Sequence, residues 1–288
     1  MTSSSLSAFQ LPLYLAGGDG IVQCWQFGQT LQGLGLHDHL RARYALAKPF
    51  TGSSSTACAS NVRISPCSEQ FACIDDKGRL GLWRLQGGRA DDNSAVSPFT
   101  SLQCYAGSGS DVCYVDSSVV LATAGHGGSA KANSICLWDV LLPPTQAQVA
   151  GCAPHPEGGT CVAYAPSERA IVSGGARGNI AIFDLRQRRI RAQWTAHTLA
   201  VRSLSVDDAG FTAFTASADG DLKMWTLTGG CDEPLGHLSR LHEPHTVSPL
   251  FHPAGTALGR TYGVTCMIND GTRLVTGGAD GRVTCVCY

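Results

Sequence analysis

One phrase recurs six times along this sequence: an apolar run with small residues, a polar turn with glycine, and a second run that ends on an aromatic residue or its substitute. In five copies the turn glycine lies five residues before that end position. These pairs are Gly20/Trp25, Gly78/Trp83, Gly178/Phe183, Gly220/Trp225 and Gly281/Val286. Twisted hairpins favour turns with positive φ, which glycine adopts most easily. The fixed spacing therefore predicts a series of similar β-hairpins.

The other copy runs from Val120 to Val140 and carries a glycine-rich insertion between its two runs. Successive end positions lie 58, 55, 45, 42 and 61 residues apart, by subtraction along Trp25, Trp83, Trp138, Phe183, Trp225 and Val286. The two shortest intervals match the roughly 40–45 residues of a four-stranded WD-repeat blade. The longer ones predict loop excursions within 29–55, 87–100 and 229–257.

We expect residues 1–288 to form a single all-β domain, a WD40-type β-propeller with six recognisable blades. About a dozen residues precede the first hairpin, which leaves little room for the innermost strand of that blade, and the last copy ends on a third strand. Propellers typically close with four to eight blades, since closure removes exposed strand edges. The first blade is thus expected to be incomplete, and the chain to be an amino-terminally truncated part of a seven-bladed ring.

Composition agrees with short buried strands and limits the classes of partner. Hydrophobic residues make up 43% of the chain, charged residues 15%, and there are 34 glycines. A net charge of −1 and a single basic cluster at 186–191 argue against nucleic-acid binding. No apolar run is long enough to predict a membrane-spanning segment.

The thirteen cysteines, without a signal peptide, indicate a reducing cytoplasmic compartment. Thiols such as Cys73, Cys136, Cys285 and Cys287 are expected to serve as small apolar side chains.

The copy that ends at Trp225 is the most complete. His197, Thr215, Asp219 and Trp225 stand where WD repeats carry a hydrogen-bonded tetrad of imidazole, hydroxyl, carboxylate and indole. Such a chain satisfies buried polar groups and ties a loop to a hairpin. The same residue types could form a hydrolytic triad, but no nucleophile elbow or oxyanion motif accompanies them. We therefore expect a structural tetrad and no catalytic residue.

No cofactor or metal site is predicted. His237, His242, His245 and His252 are the only clustered candidate ligands, and their irregular spacing beside prolines fits no zinc motif, so a polar loop is the better interpretation. The last copy keeps Thr276 and Asp280 but ends in Val286.

Two arginines are candidate partner contacts. Arg177 occupies the position of the turn aspartate in the copy that keeps His155 and Ser173, and an arginine cannot accept the imidazole proton. Arg186 closes the box Phe183-Asp184-Leu185-Arg186, which resembles the WD-x-Arg box of substrate receptors of cullin-type ubiquitin ligases. The alternative is that the box ends a strand in a basic turn.

Longer stretches carry a more specific resemblance. The segments SICLWDVLLPP, CVAYAPSERAIVSGGARGNIAIFDLRQRRI and QWTAHTLAVRSLSVDDAGFTAFTASADGDLKMWTL are similar to the carboxyl-terminal WD repeats of the DmX-like (rabconnectin alpha, yeast Rav) family. The resemblance implies a non-catalytic scaffold that promotes assembly of the vacuolar proton-pumping ATPase. Its implied partners are subunits of that pump and of the assembly complex, at a cytoplasmic location peripheral to endomembranes. Family members carry thousands of residues upstream of these repeats.

Overall fold

A computed structural model describes residues 12–16, 21–28, 37–45, 57–85, 96–115, 117–228, 233–247 and 260–288. Every regular element within these ranges is a β-strand. None of the described residues belongs to a helix long and apolar enough to cross a membrane.

The strands form six meandering antiparallel sheets, called blades 1 to 6 below, and one short hairpin. Blade 1 contains β1 (Pro12–Ala16), β2 (Ile21–Gly28) and β3 (His37–Ala45). Blade 2 contains β4 (Ala59–Ile64), β5 (Gln70–Asp75), β6 (Arg79–Arg84) and β7 (Thr100–Gln103). Blade 3 contains β8 (Gly109–Val115), β9 (Val120–Gly125), β10 (Ile135–Asp139) and β11 (Gln148–Cys152). Blade 4 contains β12 (Gly159–Ala165), β13 (Ala170–Gly175), β14 (Asn179–Asp184) and β15 (Arg189–Thr195).

Blade 5 contains β16 (Val201–Val206), β17 (Thr212–Ser217), β18 (Leu222–Thr226) and β19 (Gly236–Leu238). The hairpin pairs β20 (His245–Val247) with β21 (Arg260–Tyr262). Blade 6 contains β22 (Val264–Asn269), β23 (Arg273–Gly278) and β24 (Val283–Cys287). The recurring sequence phrase forms the second and third strands of blades 2 to 6, and β1 and β2 of blade 1.

The blades follow one another around an axis, because the first strands β4, β8, β12, β16 and β22 contact each other in that order. The core lies between successive blades. Cys161, Val172 and Ile182 of blade 4, for example, pack against Leu204 and Trp225 of blade 5. The prediction of an all-β WD40-type propeller with six recognisable blades is confirmed.

The turn glycines adopt the predicted left-handed conformation. φ is 73° at Gly78, 78° at Gly178, 89° at Gly220 and 75° at Gly281, while Gly20 lies outside the described residues. A Cβ at the first three would overlap the backbone oxygen of the loop that leads into the next blade, whereas nothing lies within 4 Å of a Cβ at Gly281. Three of these glycines are therefore required by close backbone approach as well as by φ.

Two of the three predicted loop excursions are partly wrong. Each of the two contains an outer strand of its blade: β3 lies within 29–55 and β19 lies within 229–257, whereas 87–100 shares only Thr100 with β7. These strands are short or irregular in pattern, and each pairs with the preceding strand of its own blade through backbone hydrogen bonds. Such pairing needs no particular side chains, so the residue pattern did not reveal it.

The cysteine prediction holds for some positions and fails for others. Cys73 and Cys136 are buried, but Cys285 and Cys287 are exposed on β24, and all eleven described cysteines are free thiols. Cys285 and Cys287 lie on a third strand, which in blades 2 to 5 is covered by a fourth strand.

Alanine substitutions at the turn glycines separate the requirement for a left-handed φ from the requirement for close approach of the next loop. Gly281→Ala is expected to lower the free energy of unfolding by about 1 kcal/mol, the cost of left-handed φ in a residue with a Cβ. Gly178→Ala and Gly220→Ala are expected to cost roughly 3 kcal/mol or more, because the added methyl group also meets backbone. Equilibrium urea denaturation measures all three, and equal losses at the three positions would contradict the overlap.

Candidate functional site

The predicted tetrad of blade 5 is assembled by three elements. His197 precedes β16, Thr215 lies in β17, Asp219 lies in the turn after it, and Trp225 lies in β18. His197 Nε2 is 2.8 Å from Thr215 Oγ1, and the Trp225 indole N–H donates to the same oxygen at 2.9 Å. Thr215 Oγ1 therefore joins the loop, the second strand and the third strand at one buried point.

Asp219 contacts the imidazole less directly than we expected. Its Oδ1 lies 3.4 Å from His197 Nδ1, an electrostatic contact without hydrogen-bond geometry. The carboxylate accepts instead from the backbone N–H and the hydroxyl of Thr198, at 3.0 and 3.1 Å. Burial acts to raise the pKa of Asp219, but His197 and the N–H groups of Asp221 and Thr198 outweigh it and hold this pKa well below its usual range.

A second set of the same kind, which the sequence pattern does not reveal, lies in blade 6. His242 is buried, its Nε2 is 2.9 Å from Thr276 Oγ1, and its Nδ1 is 3.0 Å from Asp280 Oδ1. Burial opposes ionisation of Asp280, but the Arg282 N–H, His242 and the Glu243 N–H together lower its pKa to about 2. The interpretation of His242 as a residue of a polar loop is wrong. Its distance from Asp280 in the sequence, 38 positions, concealed the relation.

In blade 3 a tyrosine takes the place of the histidine in the network. The Tyr105 hydroxyl lies 3.0 Å from Thr123 Oγ1 and 2.8 Å from the Thr123 carbonyl oxygen, and the Trp138 indole donates to Thr123 Oγ1 at 3.0 Å. Burial is the main cause that raises the pKa of Tyr105 well above its usual value. Thr123 and Trp138 correspond to Thr215 and Trp225 of blade 5 when the glycine-rich insertion between them is left out, so the sequence pattern could have identified them. Tyr105 stands where the other blades carry histidine, so a pattern that requires histidine does not identify it.

Blade 4 keeps only the imidazole and the hydroxyl. His155 Nε2 is 2.9 Å from Ser173 Oγ, and Phe183 replaces the indole. Burial lowers the pKa of His155 to about 4, against a smaller opposing effect of the Asn179 side chain. Arg177, in the place of the carboxylate, extends outward and forms an exposed ion pair with Glu157.

These networks lack the access that chemistry requires. Thr215, Thr276 and His242 are fully buried, and His197 is almost so. A substrate carbonyl cannot approach either hydroxyl while the blades are packed. The arrangement can satisfy buried polar groups and fix loops, which is the role predicted for the tetrad.

The candidate metal-ligating histidines lie in separate places. His242 belongs to the blade 6 network, His237 pairs with Asp221 at 2.9 Å, His245 is exposed on β20, and His252 lies outside the described residues. Within the described ranges, no three His, Cys, Asp or Glu side chains meet as a metal site.

A buried carboxylate near the axis was not predicted. Asp111 on β8 accepts from Asn61 Nδ2 at 2.6 Å and from the Val162 N–H at 3.0 Å, and it lies 3.4 Å from Arg63 Nη2. Burial is the largest influence on its pKa and raises it, with Arg63 opposing. Asp111 thus links the first strands of blades 2, 3 and 4. A lone carboxylate inside the apolar strand SDVCYV is the signal that could have identified it.

Beside this carboxylate, the first strands enclose a cavity of about 560 Å³ that opens on the face of their carboxyl ends. Its lining includes Arg63, Tyr114, Tyr164, Asp208 and Met267, contributed by blades 2 to 6. The cavity is part of the axial channel of the fold.

Arg186 lies in the turn between the third and fourth strands of blade 4. The Asp184 carboxylate accepts from the N–H groups of Arg186 and Gln187, at 2.8 and 2.9 Å. Asp184 therefore shapes the turn, and the Arg186 side chain remains exposed.

The family model described as "WD domain, G-beta repeat" matches residues 188–226 and 251–285. The first match contains the tetrad of blade 5, and the second contains Thr276 and Asp280. The chain carries WD repeats. A solved structure, that of Chaetomium thermophilum Sqt1 bound to the N-terminus of the ribosomal protein L10, superposes with a TM-score of 0.68 over 96% of this WD-repeat chain and 67% of the Sqt1 chain. The identity there is 19%, so the likeness concerns the fold.

Among curated proteins, DmX-like protein 1 of Mus musculus is 30% identical over 253 residues, and that of Homo sapiens is 29% identical over 250 residues. Both alignments cover 86% of this chain, which spans 8% of the length of either relative. WD repeat-containing protein 91 of Gallus gallus is 28% identical over 46% of the chain. The similarity to DmX-like proteins therefore extends over most of the blades.

The central role of the Thr215 hydroxyl predicts a large effect of its removal. Thr215→Val keeps the shape of the side chain but leaves His197 and the Trp225 indole without their partner, so we expect a loss of about 2–4 kcal/mol in the free energy of unfolding. Thr212→Val, the same change in the same strand, is the matched control and should cost under about 0.5 kcal/mol. Chemical denaturation gives both values, and similar losses would contradict the network.

The lowered pKa of His155 predicts a pH dependence of stability. Between pH 6.5 and about 4 the unfolded chain binds a proton at His155 that the folded chain does not, so acidification favours unfolding. The stabilisation present above pH 6.5 should fall by up to about 3 kcal/mol as the pH approaches 4. His155→Gln should flatten this part of the profile, and His245→Gln, at an exposed histidine, should not. Parallel profiles for the wild type and His155→Gln would contradict the assignment.

Proposed function

We propose that this chain is a non-catalytic protein-interaction propeller that takes part in assembly of the vacuolar proton-pumping ATPase. The observation that carries the proposal is its similarity to DmX-like protein 1 over 86% of its length. The DmX-like resemblance implies proteins that bring the peripheral catalytic sector of the pump to its membrane sector. The expected partners are therefore subunits of the pump and of its assembly complex.

The polar networks support the non-catalytic part of this proposal. Thr215, Thr276 and their histidines have one another as partners and are buried, so they stabilise the blades and offer no nucleophile to a ligand. Interaction chemistry is left to the exposed turns on the two faces of the propeller, where most of the charged side chains lie. We place the protein in the cytoplasm, peripheral to endomembranes through its partners.

A binding experiment tests the proposal. The purified chain, immobilised through a tag, is mixed with the separated peripheral sector of the vacuolar ATPase and, in parallel, with the adaptor of a cullin-type ligase. We expect pump subunits to be retained at micromolar concentration or below and the adaptor to be lost on washing. Retention of neither would contradict the proposal.

The exposure of Arg186 supports one alternative, a substrate receptor of a cullin-type ubiquitin ligase. Asp184 holds the turn of the Phe183-Asp184-Leu185-Arg186 box so that the guanidinium faces solvent. Under this alternative the adaptor is retained, and Arg186→Ala abolishes its retention. Arg177 is the second candidate contact, although a partner there would have to compete with Glu157.

A further inference from the structure

The turns between third and fourth strands repeat one local structure in neighbouring blades. In blade 3, Asp139 Oδ1 accepts from the N–H of Leu141 at 3.0 Å, and in blade 4, Asp184 Oδ1 accepts from the N–H of Arg186 at 2.8 Å. Each carboxylate fixes the backbone two residues on and directs the side chain there toward solvent. The side chain presented is apolar in blade 3 and cationic in blade 4.

The blade 3 turn exposes an apolar pair. Leu141 is 76% exposed and Leu142 is 38% exposed. Pro143 and Pro144 follow them, and the Pro143 carbonyl accepts from the Gln146 N–H at 2.8 Å. Because proline restricts the backbone, these leucines are held at the surface by a stiff turn.

The blade 4 turn concentrates positive charge. Arg186, Arg188 and Arg189 are all exposed, and none of their guanidinium groups has a carboxylate within ion-pair distance among the described residues. The nearby acids are occupied: Asp184 by two backbone N–H groups, and Glu168 by Arg191 at 2.7 Å. Arg189 is oriented by Gln187, whose Oε1 accepts from its Nε at 2.6 Å.

We propose that these two turns form one docking surface, the rim patch (Leu141, Leu142, Arg186, Arg188 and Arg189), for an acidic protein segment that carries an apolar anchor residue. Both turns lie on the face where third strands end, in adjacent blades. The chain as a whole has a net charge of −1, so the patch is a local cation cluster in a nearly neutral molecule. Charge complementarity selects an acidic ligand, and the exposed leucines supply the apolar contact.

The surroundings favour a peptide over a membrane. Asp208, exposed at the mouth of the axial cavity, lies at the same end of the blades and would face the anionic surface of a lipid bilayer. The patch is also small and has only two apolar side chains, too few for stable insertion at an interface. A narrow acidic segment can reach the arginines without meeting Asp208.

This proposal does not depend on which assembly the chain serves, so it can fail or succeed separately from the proposed role in pump assembly. Its test uses a random twelve-residue peptide display library selected on the purified chain. Counter-selection uses a rim-reversed variant that combines Arg186→Glu, Arg188→Glu and Arg189→Glu. The matched control combines Lys77→Glu, Lys131→Glu and Arg282→Glu, the same charge change in turns on the opposite face. Thermal unfolding verifies that both triple variants fold.

We expect rim-dependent peptides to be enriched in Asp and Glu around a large apolar residue. In fluorescence anisotropy with the most enriched peptide, the rim-reversed variant should lose at least about tenfold in affinity, and Leu141→Ser about threefold or more. The opposite-face control should bind like the wild type, and added salt should weaken binding.

Three outcomes would overturn the proposal: no rim-dependent peptide, rim-dependent peptides without acidic residues, or equal loss in the opposite-face control. Vesicles with 30% phosphatidylserine serve as the competing ligand. Rim-dependent vesicle binding without peptide binding would assign the patch to a lipid surface and also overturn it.

Discussion

The propeller depends on one backbone contact repeated between blades. The carbonyl of a left-handed turn glycine accepts the N–H of the residue that begins the next blade's network: Gly78 from Tyr105 at 3.0 Å, Gly178 from His197 at 2.9 Å, and Gly220 from His242 at 3.2 Å. The glycine has no Cβ, so the next loop can approach closely enough for this bond. Each blade thereby sets the position from which the following blade's polar side chain enters its core.

The side-chain network within a blade accepts more residue types than this backbone contact does. A second-strand hydroxyl recurs in Thr123, Ser173, Thr215 and Thr276, but its partner is tyrosine in blade 3 and histidine in blades 4 to 6. The indole is replaced by Phe183 or Val286 in two of them. Blade 2 has Cys73 at the hydroxyl position, and its Trp83 indole donates to the Val96 carbonyl instead. The physical requirement is that the buried hydroxyl of the second strand finds a hydrogen-bond partner before the first strand, and both histidine and tyrosine meet it.

The separation between buried polar networks and exposed turns has a consequence for function. Polar groups of the blade interiors are engaged with one another, and Asp111 ties three first strands together near the axis. The turns between third and fourth strands carry no such duty beyond holding their own shape, as Asp139 and Asp184 do. Their outward side chains are free to differ from blade to blade, and the protein-interaction role proposed above would draw its specificity for partners from such differences.

The sequence by itself determined the hairpins, their number and the fold class, because glycine spacing and apolar runs act locally. It also identified His197, Thr215 and Trp225 of blade 5, which hydrogen-bond as expected, and placed Asp219 in the adjoining turn. These residues lie within 29 positions, from 197 to 225, on one uninterrupted blade. Only the tertiary structure placed His242 with Asp280, put Tyr105 in the place of a histidine, and joined Asp111 to Asn61 and Val162. Those contacts span loops of variable length or separate blades, and such distances are set by the packing of the sheets around the axis. The outer strands β3, β7 and β19 were also decided only by the tertiary structure, since their pairing rests on backbone groups that every residue possesses.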